Sequence, residues 1–307
     1  MENKKIDLSV KLGELNMKNP VIAASGTYGF GREYSDYIDL NKWGGIAVKG
    51  LTLKERQGNP PPRIVETPSG MLNAVGLQNP GVDRFIKHEI PFLRKYNLAV
   101  IANVAGNTPD EYVEMVSILN RVDIDAIEIN LSCPNVNKGC IAFGSTEEGV
   151  TEIVKSIRKA TDKMLIVKLT PNVTDITALA KAAEYAGADA ISLINTLLGM
   201  VIDINTKKPV LANNTGGLSG PAVRPVAVRM TYQTAQAVKI PVIGMGGITC
   251  GRDVVEFLLA GASAVMVGTW NFVDPMCINK ITRELQEYME LNNFYNIKDI
   301  VGKVTLN

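Results

Sequence analysis

Eight short apolar runs recur along the chain, and each is too continuous for a strand that has one face in water. They occupy residues 21–24, 45–48, 99–104, 126–129, 165–169, 190–194, 241–244 and 264–267. Strands that are buried on both faces are typical of parallel sheets covered by helices. The pattern therefore predicts eight parallel strands in the interior of the protein.

Amphipathic helix patterns lie between most of these runs. With caps and apolar spacing of the helical period, they cover residues 109–120, 146–160, 176–186, 223–238 and 251–259. Eight strands that alternate with helices predict an α/β fold, the TIM (β/α)8 barrel, in which catalytic residues gather at the carboxyl ends of the strands. Because no linker or low-complexity segment interrupts the sequence, we expect a single domain over residues 1–307.

Two connections, residues 51–78 and 197–218, are too long to be simple turns. Loops beyond about 15 residues usually carry function or a small structure of their own. In the second loop, apolar segments at 200–204 and 209–211 flank residues 205–208, which predicts a hairpin. We therefore expect extra antiparallel hairpin-like insertions at the C-terminal mouth of the barrel.

The composition limits the classes of binding partner and the cellular compartment that we expect for this protein. The 32 basic and 31 acidic residues give a net charge of +1, which provides no excess to attract nucleic acid or an anionic membrane. The four cysteines form no Cys-x-x-Cys pair, which argues against a zinc site or an iron–sulfur cluster in this chain. The first residues lack a signal-peptide core, and polar residues and glycines interrupt the apolar stretch 257–273. We expect a cytoplasmic protein that binds small molecules or other proteins.

Cys133 follows the fourth strand, in the segment Asn130-Leu-Ser-Cys-Pro-Asn135. A thiol has a pKa of about 8.5, close enough to neutrality to take or give a proton, so Cys133 is a candidate catalytic residue. The alternative is a buried, inert cysteine. Cys250 and Cys277 lack such a context and are interpreted as packing residues, while His88, in a polar helical segment, is interpreted as a surface residue.

Two lysines, Lys49 and Lys168, close apolar strands, where burying an unpaired ammonium group is costly. If both face one pocket, that pocket attracts anions; the alternative is that each reaches solvent at the barrel rim. Asparagines occupy equivalent positions at 103, 130 and 195. Their amides suit the polar edges of a flat heterocycle, although an isolated asparagine more often bonds turn backbones.

Glycines follow the last two strands, at Gly244, Gly246 and Gly247 and at Gly268, which precedes Thr269. TIM barrels often bind a phosphate in these loops through backbone N–H groups. Turns need glycine in any case, so Gly-Gly alone is weak evidence. Position 249 is threonine, which breaks the G-x-G-x-x-G pattern, so the loops indicate a phosphate group and not a dinucleotide.

In combination, these segments resemble the dihydroorotate dehydrogenases, the flavin enzymes of pyrimidine synthesis, over essentially the whole chain. The matching segments are residues 24–26, 48–50, 73–77, 101–103, 130–135, 167–169, 195–196, 216–220, 246–247 and 268–269. The resemblance implies a single FMN-binding barrel that oxidises dihydroorotate to orotate. In that reaction Cys133 would take the C5 proton, while the C6 hydride passes to flavin N5.

The resemblance also implies which residues contact the two ligands. Those implied for FMN are Ser25, Lys49, Gly50, Asn103, Asn130, Lys168, Ile194, Gly220, Gly246, Gly247, Gly268 and Thr269. Those implied for dihydroorotate are Lys49, Asn73, Gly76, Leu77, Asn130, Asn135, Asn195 and Thr196. Lys168 would stabilise negative charge on the reduced flavin, Lys49 would pair with the substrate carboxylate, and residues 134–144 would form a lid.

Family members differ in their electron acceptor. Quinone-linked members carry an N-terminal membrane-associating extension and usually a serine base, and neither feature is seen here. The segment 135–144 resembles the NAD-linked type B form, except that Cys140 stands where that form commonly has glycine. That form works with a subunit that carries FAD and an iron–sulfur cluster, which implies a catalytic homodimer flanked by two such subunits, a heterotetramer.

Three alternatives remain open from the sequence. The first is the fumarate-reducing homodimeric form of the family. The second is a reductase similar to dihydropyrimidine dehydrogenase that acts on uracil. The third is a flavin-binding barrel without catalytic activity.

Overall fold

Eight parallel strands close into a barrel in the computed structural model, which describes residues 6–131 and 143–307. The strands are β1 (Val21–Ala23), β2 (Gly45–Ala47), β3 (Ala99–Val104), β4 (Ala126–Asn130), β5 (Met164–Lys168), β6 (Ala190–Leu193), β7 (Val242–Met245) and β8 (Ala264–Val267). Each strand pairs with the next one in the chain, and β8 pairs with β1. Nearly every strand residue is buried, as the continuous apolar runs require, and the predicted TIM barrel is confirmed.

Helices surround the barrel at the predicted places, with small shifts at their ends. They are α1 (Pro109–Leu119), α2 (Glu147–Arg158), α3 (Ile176–Tyr185), α4 (Arg224–Ala237), α5 (Gly251–Leu259), α6 (Trp270–Val273) and α7 (Cys277–Leu291). Shorter helical turns cover Leu40–Lys42, Val82–Arg84, Phe85–Glu89, Ile90–Leu93, Phe143–Ser145, Pro221–Val223 and Ile297–Asp299. Side-chain caps begin α1, α2 and α3, where Thr108, Thr146 and Asp175 accept hydrogen bonds from the first helical turn.

The two long loops form one antiparallel sheet beyond the C-terminal ends of the barrel strands. Its strands, in spatial order, are Leu197–Gly199, Gly216–Ser219, Gly70–Asn73 and Ile64–Thr67. The predicted hairpin is also present, with Ile202–Asp203 paired to Lys208–Pro209. The pairing between the two insertions, with Leu218 opposite Leu72, was not predicted, because no local pattern specifies a partner more than a hundred residues away.

At the opposite end of the barrel, a hairpin of Val10–Leu12 and Leu15–Met17 packs its apolar side chains into the main core. The apolar stretch 257–273 contains the end of α5 and strand β8, as predicted, and also the short helix α6, which was not predicted. Within the described ranges, no helix is long and apolar enough to cross a bilayer.

Candidate active site

A cavity of about 560 Å³ opens at the C-terminal mouth of the barrel, between the strand ends and the four-stranded sheet. Every predicted ligand-binding residue that the structure describes lines it. These residues are Ser25, Lys49, Gly50, Asn73, Gly76, Leu77, Asn103, Asn130, Lys168, Ile194, Asn195, Thr196, Gly220, Gly246, Gly247, Gly268 and Thr269. Cys133, Asn135 and Cys140 lie outside the described residues. The fold thus brings together residues that are up to 244 positions apart in the chain.

Both lysines face this cavity and not the outer rim of the barrel. Lys168, the last residue of β5, is only 5% exposed and donates a hydrogen bond from Nζ to Ser25 Oγ at 3.3 Å. Burial lowers the pKa of Lys49, and the nearby charges of Arg63 and Lys168 lower it further. Among the described residues, no carboxylate forms an ion pair with Lys49. The cavity therefore presents positive charge that an anionic ligand would stabilise.

The amide side chains at the mouth form a connected set. Asn195 Nδ2 donates to Asn130 Oδ1 at 3.1 Å, and Asn195 Oδ1 accepts from the Thr196 backbone N–H at 2.7 Å. Asn73 Nδ2 donates to the Gly217 carbonyl at 3.4 Å, across the inserted sheet. The turn-bonding alternative therefore applies in part to Asn195, but these amides also line the cavity and offer it polar edges.

Asn103, at the end of β3, has one unsatisfied atom. Its Nδ2 donates to Glu128 Oε2 at 2.5 Å, whereas its Oδ1 is buried and has no hydrogen-bond partner among the described residues. Leaving a buried carbonyl unpaired costs about 1–3 kcal/mol, so most buried acceptors in folded proteins have a hydrogen-bond partner. Because Asn103 lies in the cavity wall, a hydrogen-bond donor on a bound ligand is one group that would satisfy this acceptor.

Gly246 and Gly247 form a glycine cradle at one side of the cavity, together with Gly220, Gly268 and Thr269. Gly247 has a left-handed φ of +75°, and a Cβ atom there would lie 2.7 Å from Arg224 Cβ and 2.9 Å from the Gly220 carbonyl oxygen. Only glycine fits at this position, so the bare backbone can approach a ligand closely. Such a cradle suits a phosphate group held by backbone N–H groups.

Leu77 carries the clearest backbone strain at the cavity wall. Its φ of +57° lies in the left-handed region, which residues with a large side chain rarely adopt. Asn59 fixes the neighbouring backbone, because it donates from Nδ2 to the Ala74 carbonyl at 2.8 Å and from its N–H to the Val75 carbonyl at 3.0 Å. The segment that leads to Leu77 is therefore held in one conformation along the cavity.

A family model described as dihydroorotate dehydrogenase matches residues 7–289 of the chain. The chain belongs to the dihydroorotate dehydrogenase family. It is 57% identical over 299 residues to the "Dihydroorotate dehydrogenase B (NAD(+)), catalytic subunit" of Thermoanaerobacter sp. (strain X514), an alignment that covers 97% of this chain and 99% of the relative. A relative with the same name from Bacteroides thetaiotaomicron is 55% identical over 297 residues, covering 96% and 98%. One from Geotalea uraniireducens is 52% identical over 299 residues, covering 97% and 98%.

Sequence reasoning missed several polar residues that shape the site in this family member. Asn172 lines the cavity and holds the turn that carries Thr196, since its Nδ2 donates to the Thr196 carbonyl at 3.0 Å and its Oδ1 accepts from the Leu198 N–H at 2.9 Å. Glu128 and Ser192 form a buried hydrogen bond of 2.7 Å inside the barrel. Glu128 had a detectable signal, because a glutamate within an apolar strand run is seldom buried without a partner.

Cys250, Cys277 and His88, which the sequence does not favour as catalytic residues, do not line the cavity. Burial raises the pKa of the Cys277 thiol to about 12, which agrees with a packing role. Cys250 precedes α5, and His88 is exposed, as predicted. In the part of the chain that the structure describes, no cluster of three or more histidine, cysteine, aspartate or glutamate side chains could hold a metal ion.

Proposed function

We propose that this protein oxidises dihydroorotate to orotate with bound FMN, a step in the de novo synthesis of UMP, and that residues 1–307 form one FMN-binding domain. The observation that carries the proposal is the cavity in which a member of the dihydroorotate dehydrogenase family gathers two lysines, six asparagines and a glycine cradle. Their charge and polarity suit a flat, anionic heterocycle and a phosphate-bearing cofactor.

The described residues fit FMN on two observations, the glycine cradle and the unpaired Asn103 Oδ1. Gly246, Gly247, Gly268 and Thr269 would hold the phosphate. The ring would lie among Ser25, Lys49, Gly50, Asn103, Asn130, Lys168, Ile194 and Gly220. When bound, FMN supplies the acceptor for the hydride that leaves C6 of the substrate. The ammonium group of Lys168 would offset the negative charge that develops nearby.

Dihydroorotate would bind through complementary charges and amide contacts. Lys49 would pair with its carboxylate, while the side chains and backbone of six further residues would hold its ring. These are Asn73, Gly76, Leu77, Asn130, Asn195 and Thr196. Cys133 would remove the C5 proton, and Asn135 would complete the substrate contacts; both lie outside the described residues. Most of the proposed lid, residues 134–144, also lies outside them, although Gly144 lines the cavity.

The proposed acceptor is NAD, reached through a partner subunit. The relatives are named as NAD(+)-linked catalytic subunits, and this sequence has neither a dinucleotide fingerprint at 244–249 nor a Cys-x-x-Cys pair. NAD reduction would therefore be supplied in trans by a subunit that carries FAD and an iron–sulfur cluster. The assembly we propose is a homodimer of this chain flanked by two such subunits.

Acceptor profiling tests this assembly. We expect the FMN-loaded chain alone to be reduced by dihydroorotate under anaerobic conditions and to leave NAD unreduced, because residues 244–249 do not form a dinucleotide-binding fingerprint. Addition of the co-purified electron-transfer subunit should restore NADH formation, measured by absorbance. Turnover with fumarate would favour the homodimeric form of the family instead, and NADH production by this polypeptide alone would contradict the partner proposal.

The glycine cradle gives a separate test of cofactor binding. We expect Gly247→Ala to weaken FMN binding about 10-fold or more, since the added Cβ collides with Arg224 and Gly220 and displaces the backbone N–H groups. Gly302→Ala is the matched control: its φ is +71°, but nothing lies within 4 Å of the added Cβ. It should lose about 1 kcal/mol of stability and keep its FMN affinity. FMN affinity is measured by titration of the apoproteins. Equal affinities in the two variants would show that the glycine cradle does not bind FMN.

A further inference from the structure

Glu128 is a buried carboxylate that has no role in the chemistry proposed above. It is the third residue of β4, and its side chain is 0% exposed. Its oxygens accept hydrogen bonds from Asn103 Nδ2 at 2.5 Å and from Ser192 Oγ at 2.7 Å, so it connects β4 with β3 and β6. Because Glu128 precedes the cavity-lining Asn130 by two residues, it lies beneath the floor of the cavity.

The carboxylate dictates how the Asn103 amide is oriented. An amide group has a donor end and an acceptor end, whereas a carboxylate only accepts. Asn103 must therefore turn its NH2 group to Glu128, which leaves Oδ1 for the other side. That oxygen is buried and has no partner among the described residues, and it lies 3.0 Å from the position of a Cβ on Gly50, another cavity-lining residue. The acceptor end of Asn103 thus points away from Glu128 and lies beside Gly50 at the cavity wall.

We propose that Glu128 is a positioning residue, which holds Asn103 with its carbonyl oxygen toward the cofactor to accept a hydrogen bond from the ring N–H of the flavin heterocycle. The inference rests on the proposed function, because it takes the cavity to hold FMN. If the Asn103 amide were reversed, its NH2 group would face the ring N–H of the flavin. Both groups are donors, so no hydrogen bond could form between them. Dihydroorotate also carries ring N–H groups, so the experiment must distinguish the two ligands.

Glutamine at position 128 removes the constraint with little change in shape. Its side-chain amide has both a donor and an acceptor, so it would permit either orientation of Asn103. We expect Glu128→Gln to weaken FMN binding about 3- to 10-fold, the range of one net hydrogen bond. Ser192→Ala is the matched control, because it removes the other hydrogen bond of Glu128 and leaves the contact with Asn103; its Kd for FMN should stay within about twofold.

A double-mutant cycle separates positioning from a merely structural role. The Kd for FMN is measured by quenching of flavin fluorescence on titration of the apoprotein, for the parent, Glu128→Gln, Asn103→Ala and the double variant. Thermal unfolding of each apoprotein checks that it is folded. In the Asn103→Ala background, we expect Glu128→Gln to change the Kd for FMN by less than about twofold, since the amide that Glu128 orients is then absent.

Other outcomes overturn the inference in distinguishable ways. If Glu128→Gln weakens FMN equally in both backgrounds, Glu128 does not act through Asn103. If it leaves the Kd for FMN unchanged and raises only the KM for dihydroorotate, the oxygen faces the substrate and not the cofactor. A parent apoprotein that binds no FMN would overturn the proposed function itself, and this inference with it.

Discussion

Cys133→Ala is expected to retain FMN and to lose reduction of the flavin by dihydroorotate, with a rate at least about 100-fold below that of the parent. The physical reason is that a positioned general base contributes about 10²- to 10⁴-fold to rate, and water in a closed site is a poor substitute. The measurement is anaerobic stopped-flow loss of oxidised-flavin absorbance in a single turnover. The visible spectrum of the purified variant reports whether FMN is retained.

Two variants control for this result. Cys133→Ser keeps a small polar side chain in place but has a much higher pKa than a thiol, so it should remain impaired at neutral pH. Cys250→Ala removes a cysteine that does not line the cavity and should reduce its flavin at the parental rate. In the parent, the rate should rise as pH approaches the thiol pKa. Flavin bleaching as fast in Cys133→Ala as in the parent would mean that Cys133 is not the base.

The barrel was predictable because its signals are local. Each strand is a continuous apolar run, and each major helix has its own periodicity and cap, so short windows of sequence were enough to specify them. Lys49 and Lys168 were found for the same reason, as charged residues at the ends of apolar strands. The parallel topology then placed them at one mouth, since the carboxyl ends of all eight strands meet there.

What the sequence could not provide depends on contacts between distant segments. The pairing of Gly70–Asn73 with Gly216–Ser219 joins two insertions that lack a shared local pattern. The hydrogen-bond partners of Glu128 are equally hard to predict, because Asn103 and Ser192 lie on two other strands. A glutamate in an apolar run signals a buried partner, but the identity of that partner follows only from strand register.

Lys49→Gln is expected to weaken the binding of the product, orotate, about 10- to 100-fold. An ammonium–carboxylate hydrogen bond contributes about 1.5–3 kcal/mol to binding. Since no carboxylate among the described residues pairs with Lys49, its bond to orotate does not replace an existing ion pair. Orotate is used because the oxidised protein does not turn it over. The measurement is a titration followed by the perturbation of the flavin absorbance.

The pH dependence of the same titration identifies Lys49 more specifically. Burial, together with the charges of Arg63 and Lys168, lowers the pKa of Lys49 from 10.5 in the protein without ligand. Between that lowered pKa and 10.5, the unfolded chain binds more protons than the folded one, so folding stability rises with pH in this window. An anion binds the protonated form of Lys49 more tightly than the neutral form. The affinity for orotate should therefore be highest at pH values below the lowered pKa of Lys49 and should decline as the pH rises above that pKa.

Arg63→Gln moves this inflection in a direction that the geometry specifies. Removing a neighbouring cation relieves part of the repulsion on Lys49, so its pKa rises and orotate affinity should persist to higher pH than in the parent. Lys49→Gln should bind weakly and show no inflection in that range. If the decline remains in Lys49→Gln, another group controls the pH dependence, and the substrate carboxylate is not paired with Lys49. If the decline keeps its position in Arg63→Gln, the charge of Arg63 does not act on Lys49.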